Sequence, residues 1–168
     1  MPESRTPAKV LYRYLDVNGN GTGSIEATGD YSSAATDFYI QPPANTTYFI
    51  NRMLVAVRDT GAFDAADYAN GVALTNGISV SVTDSSDTEI VDLTDGQPIK
   101  TNAGWGALCY DVDVKTWGTG DEVLLVRWTF AAAGFAIQLN NRYKFKVVCN
   151  DNMTGLNSHT FHVQGWTT

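Results

Sequence analysis

The feature that most constrains this chain is a spacing of two. Ile78, Val80 and Val82 alternate with Ser79 and Ser81. Leu108, Tyr110, Val112 and Val114 alternate in the same way with Cys109, Asp111, Asp113 and Lys115. That period sends every second side chain to one face of a strand, and a helix cannot use it. Comparable runs occupy residues 9–16, 38–41, 48–59, 88–93, 122–131, 136–139, 143–148 and 159–166, with Gly, Asp and Asn between them. About nine or ten short strands roughly 8–15 residues apart predict an all-β fold, an antiparallel β-sandwich or jelly roll, rather than βαβ units. Residues 1–8 read as an extended arm on a single domain spanning 9–168.

Within this frame, 48–59 has apolar residues of both parities: Phe49, Met53, Val55 and Val57 against Ile50 and Leu54. It is expected to be a central strand covered on both faces. Residues 136–139 and 143–148 are expected to form a hairpin across Asn140-Asn141. The stretch 62–69 is the one segment that could hold a helix, of one or two turns. NGNGTGSIEATGDYSS, residues 18–33, is turn chemistry and is expected to be a long surface loop.

Composition narrows the function classes. Charged residues are 17% of the chain, against about 25% in ordinary domains, and the polarity comes from Thr, Ser, Asn and Gly. This argues against coiled coil, helical bundle, collagen and disorder. The net charge is −7; Arg142, Lys144 and Lys146 alternate along one strand and read as a solvated face, so no nucleic-acid partner is expected. No apolar run approaches the roughly 18 residues of a membrane span. MPESRTPAKV contains no apolar signal core, which predicts assembly in a cytosol with Cys109 and Cys149 as reduced core thiols.

Motifs for chemistry are sparse. Asp16, Asn18 and Asn20, followed by Gly21, resemble the start of a calcium loop, but Ala27 stands where the closing Glu belongs. No other cofactor is indicated. His159 and His162, three apart on a strand, fall on opposite faces and cannot share a metal; both are expected at the surface. No nucleophile elbow occurs. Asp111 and Asp113 share a strand face, as a solvated pair rather than as facing glycosidase carboxylates. Among the four Trp, Trp128 lies in a buried strand. Trp105, Trp117 and Trp166 lie in or near loops, where they either plug the ends of the fold or meet a partner.

DVNGNGTGSIEATGDYSSAATDFYI, NRMLVAVRDTGAFDAADYANGVALTNGISVSV, DGQPIKTNAGWGALCYDV and VRWTF resemble small structural proteins of tailed-bacteriophage virions, over about residues 10–166. Within that class the likeness points to capsid decoration, or cement, proteins. The resemblance implies no enzymatic activity, a major capsid protein and further copies of the chain (a homotrimer) as partners, and a place on the capsid surface after assembly in the host cytoplasm. Pro2, Arg5 and Pro7 of the arm, with Trp105 and Trp117, are the interface candidates. The rival readings are a tail, neck or fibre component, a carbohydrate-binding module with Trp105 or Trp117 as its platform, and a hydrolase.

Overall fold

In the computed structural model, residues 8–108, 111–117, 120–130 and 136–168 are described, all but the side chain of Trp117. The chain is all-β, and the alternating runs become ten strands. They are β1 (Lys9–Tyr14), β2 (Thr36–Ile40), β3 (Tyr48–Thr60), β4 (Ile78–Asp84), β5 (Glu89–Asp92), β6 (Asp111–Trp117), β7 (Asp121–Thr129), β8 (Ile137–Leu139), β9 (Tyr143–Cys149) and β10 (Ser158–Thr167). Two antiparallel sheets result. The larger runs β1-β10-β3-β7-β6, with β8 also on β3; the smaller runs β2-β9-β4-β5.

The pairing is nested. β1 pairs β10, β2 pairs β9, β3 pairs β7 and β8, and β4 pairs β5, with successive pairs falling in alternate sheets. Asp16 and Tyr39 exchange backbone hydrogen bonds of 3.2 and 3.0 Å, tying the end of β1 to β2. β1 and β2 therefore share one side of the molecule, and β5 edges the smaller sheet on the other. Both sheets contribute to one hydrophobic cluster: Met53, Val55 and Phe161 meet it from the larger, Phe38, Val80 and Phe145 from the smaller.

β3 is central, but it is not covered alike on both faces. Tyr48 and Ile50 point into the core, and so do Met53, Val55 and Val57; Leu54 and Ala56 on the other face are half-buried. The parity changes because Gln164 pairs Arg52 while the next residue, Gly165, pairs Ile50, leaving Asn51 as an inserted residue. A β-bulge thus turns a strand with two apparent apolar faces into one with a single core face.

Three further expectations change. Residues 62–69 form turns, not a helix: Asp64 Oδ1 accepts the Ala66 N–H at 2.9 Å, Ala69 sits at φ 52°, and the Asn102 amide takes the carbonyls of Asp64 and Ala69. β8 and β9 are not a hairpin, because β8 joins the larger sheet and β9 the smaller. The Asn140-Asn141 turn instead carries the chain between sheets, with Asn140 Oδ1 capping Arg142 N–H at 2.9 Å. Finally, the 18–33 loop is not all surface. Ala27 is fully buried, and its N–H donates to the His159 carbonyl at 2.7 Å.

The bulge depends on Gly165, where an added Cβ would lie 1.8 Å from the Phe49 carbonyl oxygen and 3.1 Å from Ile50 Cα. These are backbone atoms that cannot swing aside. Gly165→Ala is expected to lower unfolding stability by about 2–4 kcal/mol in a denaturant titration. A loss below about 0.5 kcal/mol would mean the bulge tolerates a side chain.

Candidate interaction surface

Trp105, expected either to plug an end of the fold or to meet a partner, is completely buried, so it packs into the fold and is not available as an interface residue. A short 3-10 helix over Ala103–Ala107 turns it inward. The preceding Asn102 pins that turn to the 64–69 segment, accepting the Ala69 N–H at 2.7 Å and donating to Asp64 O at 2.7 Å. The flanking glycines mark a tight turn over the core, not a tip in solvent. Trp105 therefore cannot serve as a carbohydrate platform in this fold.

His159 is likewise buried, not at the surface, whereas His162 is half-buried on the opposite face of β10. His159 Nδ1 lies 3.1 Å from the Ala27 carbonyl and must carry the proton there. Its Nε2 is then the acceptor for the Tyr68 hydroxyl at 3.0 Å. Burial, only partly opposed by the Ala27 carbonyl, lowers its pKa to about 4. Burial likewise holds the Tyr68 phenol well above its usual range. The Trp105 N–H lies near enough to oppose that shift, but it makes no hydrogen bond by distance and angle.

The calcium-like loop is organised around an anion. Asp16 is fully buried and accepts the N–H groups of Asn20, at 3.0 Å, and Gly23. Burial alone would raise its pKa, but the N–H groups of Gly23, Gly21, Asn20 and Gly19 outweigh it and hold the carboxyl low. Asn20 Oδ1 is occupied by Thr22, through its N–H at 3.0 Å and its hydroxyl at 2.5 Å. Asn18 is exposed. Donors converging on Asp16 are the reverse of a cation's surroundings. Among the described residues no group of three His, Cys, Asp or Glu side chains is arranged to hold a metal.

Other reactive types are similarly occupied. Arg127 grips Asp111 with two bonds of 2.5 and 2.7 Å and reaches Asp113 at 3.4 Å, while Lys115 meets Asp113 at 3.1 Å. These cations hold both carboxyls below their usual range, where an acid catalyst needs the opposite. Cys149 is buried as expected, and desolvation pushes its thiol far up, which makes it inert. A groove of about 460 Å³ opens between residues 71–76 and 151–156. Asp151, a buried carboxylate in its lining, is taken up by the N–H groups of Thr75, Asn76 and Gly77 at 2.8, 3.1 and 2.7 Å. Pro2, Arg5, Pro7, Cys109 and the Trp117 side chain lie outside the described residues.

What remains open is an apolar corner on the outer face of the larger sheet. Val10 is 87% exposed, and its cross-strand neighbour Trp166 is 37% exposed and stacked on Phe49 at 5.2 Å and 5°. Beside them Tyr12, 44% exposed, leans on His162 at 4.7 Å. Trp166 is the one Trp expected near a loop whose side chain is described there at the surface. The alternation of Val10, Tyr12 and Tyr14 in KVLYRY was the signal for the rest. Among the described residues no helix is long and apolar enough to cross a membrane. No family model matches the chain, and neither a curated protein nor a solved structure matches it.

The buried His159 makes stability pH-dependent. Folded protein keeps it neutral down to about pH 4, whereas the unfolded chain protonates it near 6.5. Between those values the unfolded state binds more protons, so stability falls as pH drops, by about 3 kcal/mol across the window. Denaturant titrations from pH 7 to 4 are expected to show this slope. The double variant Tyr68→Phe/His159→Leu, which removes both side chains of that hydrogen bond and leaves the Ala27 carbonyl without its donor, is expected to lose most of the slope, the half-buried His162 supplying the rest; an unchanged slope would assign it elsewhere.

Proposed function

We propose that the chain is a non-enzymatic structural protein of a tailed-phage virion, a capsid decoration protein of jelly-roll type that binds and braces the major capsid lattice. The nested strand pairing, alternating between two sheets, supports the jelly-roll reading, since a β-hairpin wound on itself produces that order. The observation that carries the functional reading is the contrast between interior and surface. Histidine, thiol and buried carboxylates are committed to holding the fold, while Val10, Tyr12 and Trp166 are left facing solvent beside the start of β1. Exposed aromatic anchors are what interface cores use.

In this reading Trp166, stacked on Phe49, docks on the lattice and residues 1–8, which precede β1, act as a tether to a neighbouring capsomer. The 18–33 loop, stiffened by Asp16, offers a second contact. A carbohydrate-binding role loses one of its two platforms with the burial of Trp105.

Co-sedimentation of the purified chain with particles lacking it tests the proposal. Wild-type chain is expected to pellet with the capsid, and Trp166→Ala to bind roughly tenfold or more weakly with its fold retained. Deleting residues 1–8 is expected to reduce occupancy further. Density at the tail or neck in a low-resolution map, or no pelleting, would overturn the lattice assignment.

A further inference from the structure

β1, one edge of the larger sheet, and β5, the edge of the smaller sheet on the opposite side of the molecule, carry opposite charge beside apolar residues. β1 presents Lys9 and Arg13, both exposed, around Val10 and Tyr12 at 87% and 44% exposure. β5 presents the exposed Glu89, and the half-buried Asp92 whose carboxylate also accepts the Thr94 and Gly96 N–H groups, on either side of Ile90 and Val91 at 54% and 46%. Four of the eight large hydrophobic residues exposed among the described residues thus lie on these two short strands. From Asp84 to Ile99 the chain holds five acids and no base, and Asp95 extends the acidic strip beyond β5. Of these, Asp87 is partly neutralised by Lys144 at 3.0 Å and Lys146 at 3.4 Å. Glu89 has no ion-pair partner among the described residues.

We propose that β1 of one copy meets β5 of a second copy, in a head-to-tail contact between unlike edges. It rests on the reading of this chain as an assembly protein and names its self-partner. Like edges exclude each other: β1 against β1 opposes Lys9 and Arg13 to their own kind, and β5 against β5 opposes acids to acids. Only the unlike pair is attractive, so the same charges select the contact and forbid its rivals. Lys9 and Arg13 stand about 13 Å apart along the strand and Glu89 and Asp92 about 10 Å; by alternation Lys9 and Arg13 lie on the opposite face of β1 from Val10 and Tyr12, so charged side chains meet on one side of the contact and apolar ones on the other. The bulge that leaves Ile90 unpaired against β4 interrupts a regular ladder, so the contact is made by side chains rather than by a continuous sheet. Because the two edges differ and lie on opposite sides, repetition closes a ring or runs on as a filament, and does not stop at a two-fold dimer.

Charge exchange tests this directly. Lys9→Glu/Arg13→Glu makes both edges acidic, and Glu89→Lys/Asp92→Asn puts a base on β5 while keeping a side-chain oxygen for the 92–96 turn. Each double variant is expected to stay folded by circular dichroism yet to associate roughly a hundredfold more weakly than wild type in light scattering and sedimentation. Mixed in equal amounts they are expected to assemble again, with the two species alternating. Recovery on mixing supports the β1–β5 contact. Variants that assemble as well as wild type, mixtures that remain monomeric, or a wild type that is monomeric at the highest concentration and lowest salt, overturn it. Capsid co-sedimentation of the wild type keeps the two readings apart. A wild type that stays monomeric yet pellets defeats this contact alone, and a wild type that assembles yet does not pellet defeats the capsid role alone.

Discussion

One residue without a side chain lets the long strand β3 serve a single core along its whole length. Without the bulge opposite Gly165, Tyr48 and Ile50 would face solvent whenever Met53, Val55 and Val57 faced inward. The bulge costs one unpaired residue, Asn51, and it reverses the parity where β8 joins β3. Leu139 and Ile137 then reach the same interior as Tyr48 and Ile50. Outside, the same change sets Phe49 beside Trp166, so the exposed stack and the buried row have one geometric cause.

The second constraint is polar. Two aspartates, Asp16 and Asp151, each gather backbone N–H groups from a loop, and Asn102 does so with its amide. Loops that cannot use ladder bonds otherwise leave donors and acceptors without partners, and here a few short side chains collect them. This explains how a chain poor in Lys and Glu keeps long connections ordered. It also explains why the acids in the turns are so largely Asp, whose carboxylate stays within reach of its own loop.

Legibility in the sequence followed the range of the cause. Alternation is local, so strands such as 78–82, 88–93 and 159–166 could be placed from residues alone, and the all-β class with them. The bulge could not, because the reason for Asn51 lies across the sheet at Gly165. Nor could the separation of β8 from β9: a turn signal at Asn140-Asn141 states that the chain reverses, not which sheet it enters. Trp105 misled because glycine neighbours usually mean exposure, whereas here they permit a tight turn over the core. His159 misled because polar type was taken for surface, and its two partners, Ala27 and Tyr68, are far away in sequence. At the surface, KVLYRY carried the apolar row plainly, but its neighbours Phe49 and Trp166 needed the register.

The nested pairing has a kinetic consequence. β1 leaves the ribosome well before its ladder partner β10, and β3 is likewise missing one neighbour until β10 arrives. No hairpin formed earlier can complete the larger sheet, so the chain must wait in a partly closed form until β10 has been made. Contacts so distant along a chain make folding slow, on the order of milliseconds to seconds. Through that interval the charges on Lys9 and Arg13 keep one open β1 from joining another, a protection exercised before the native fold exists.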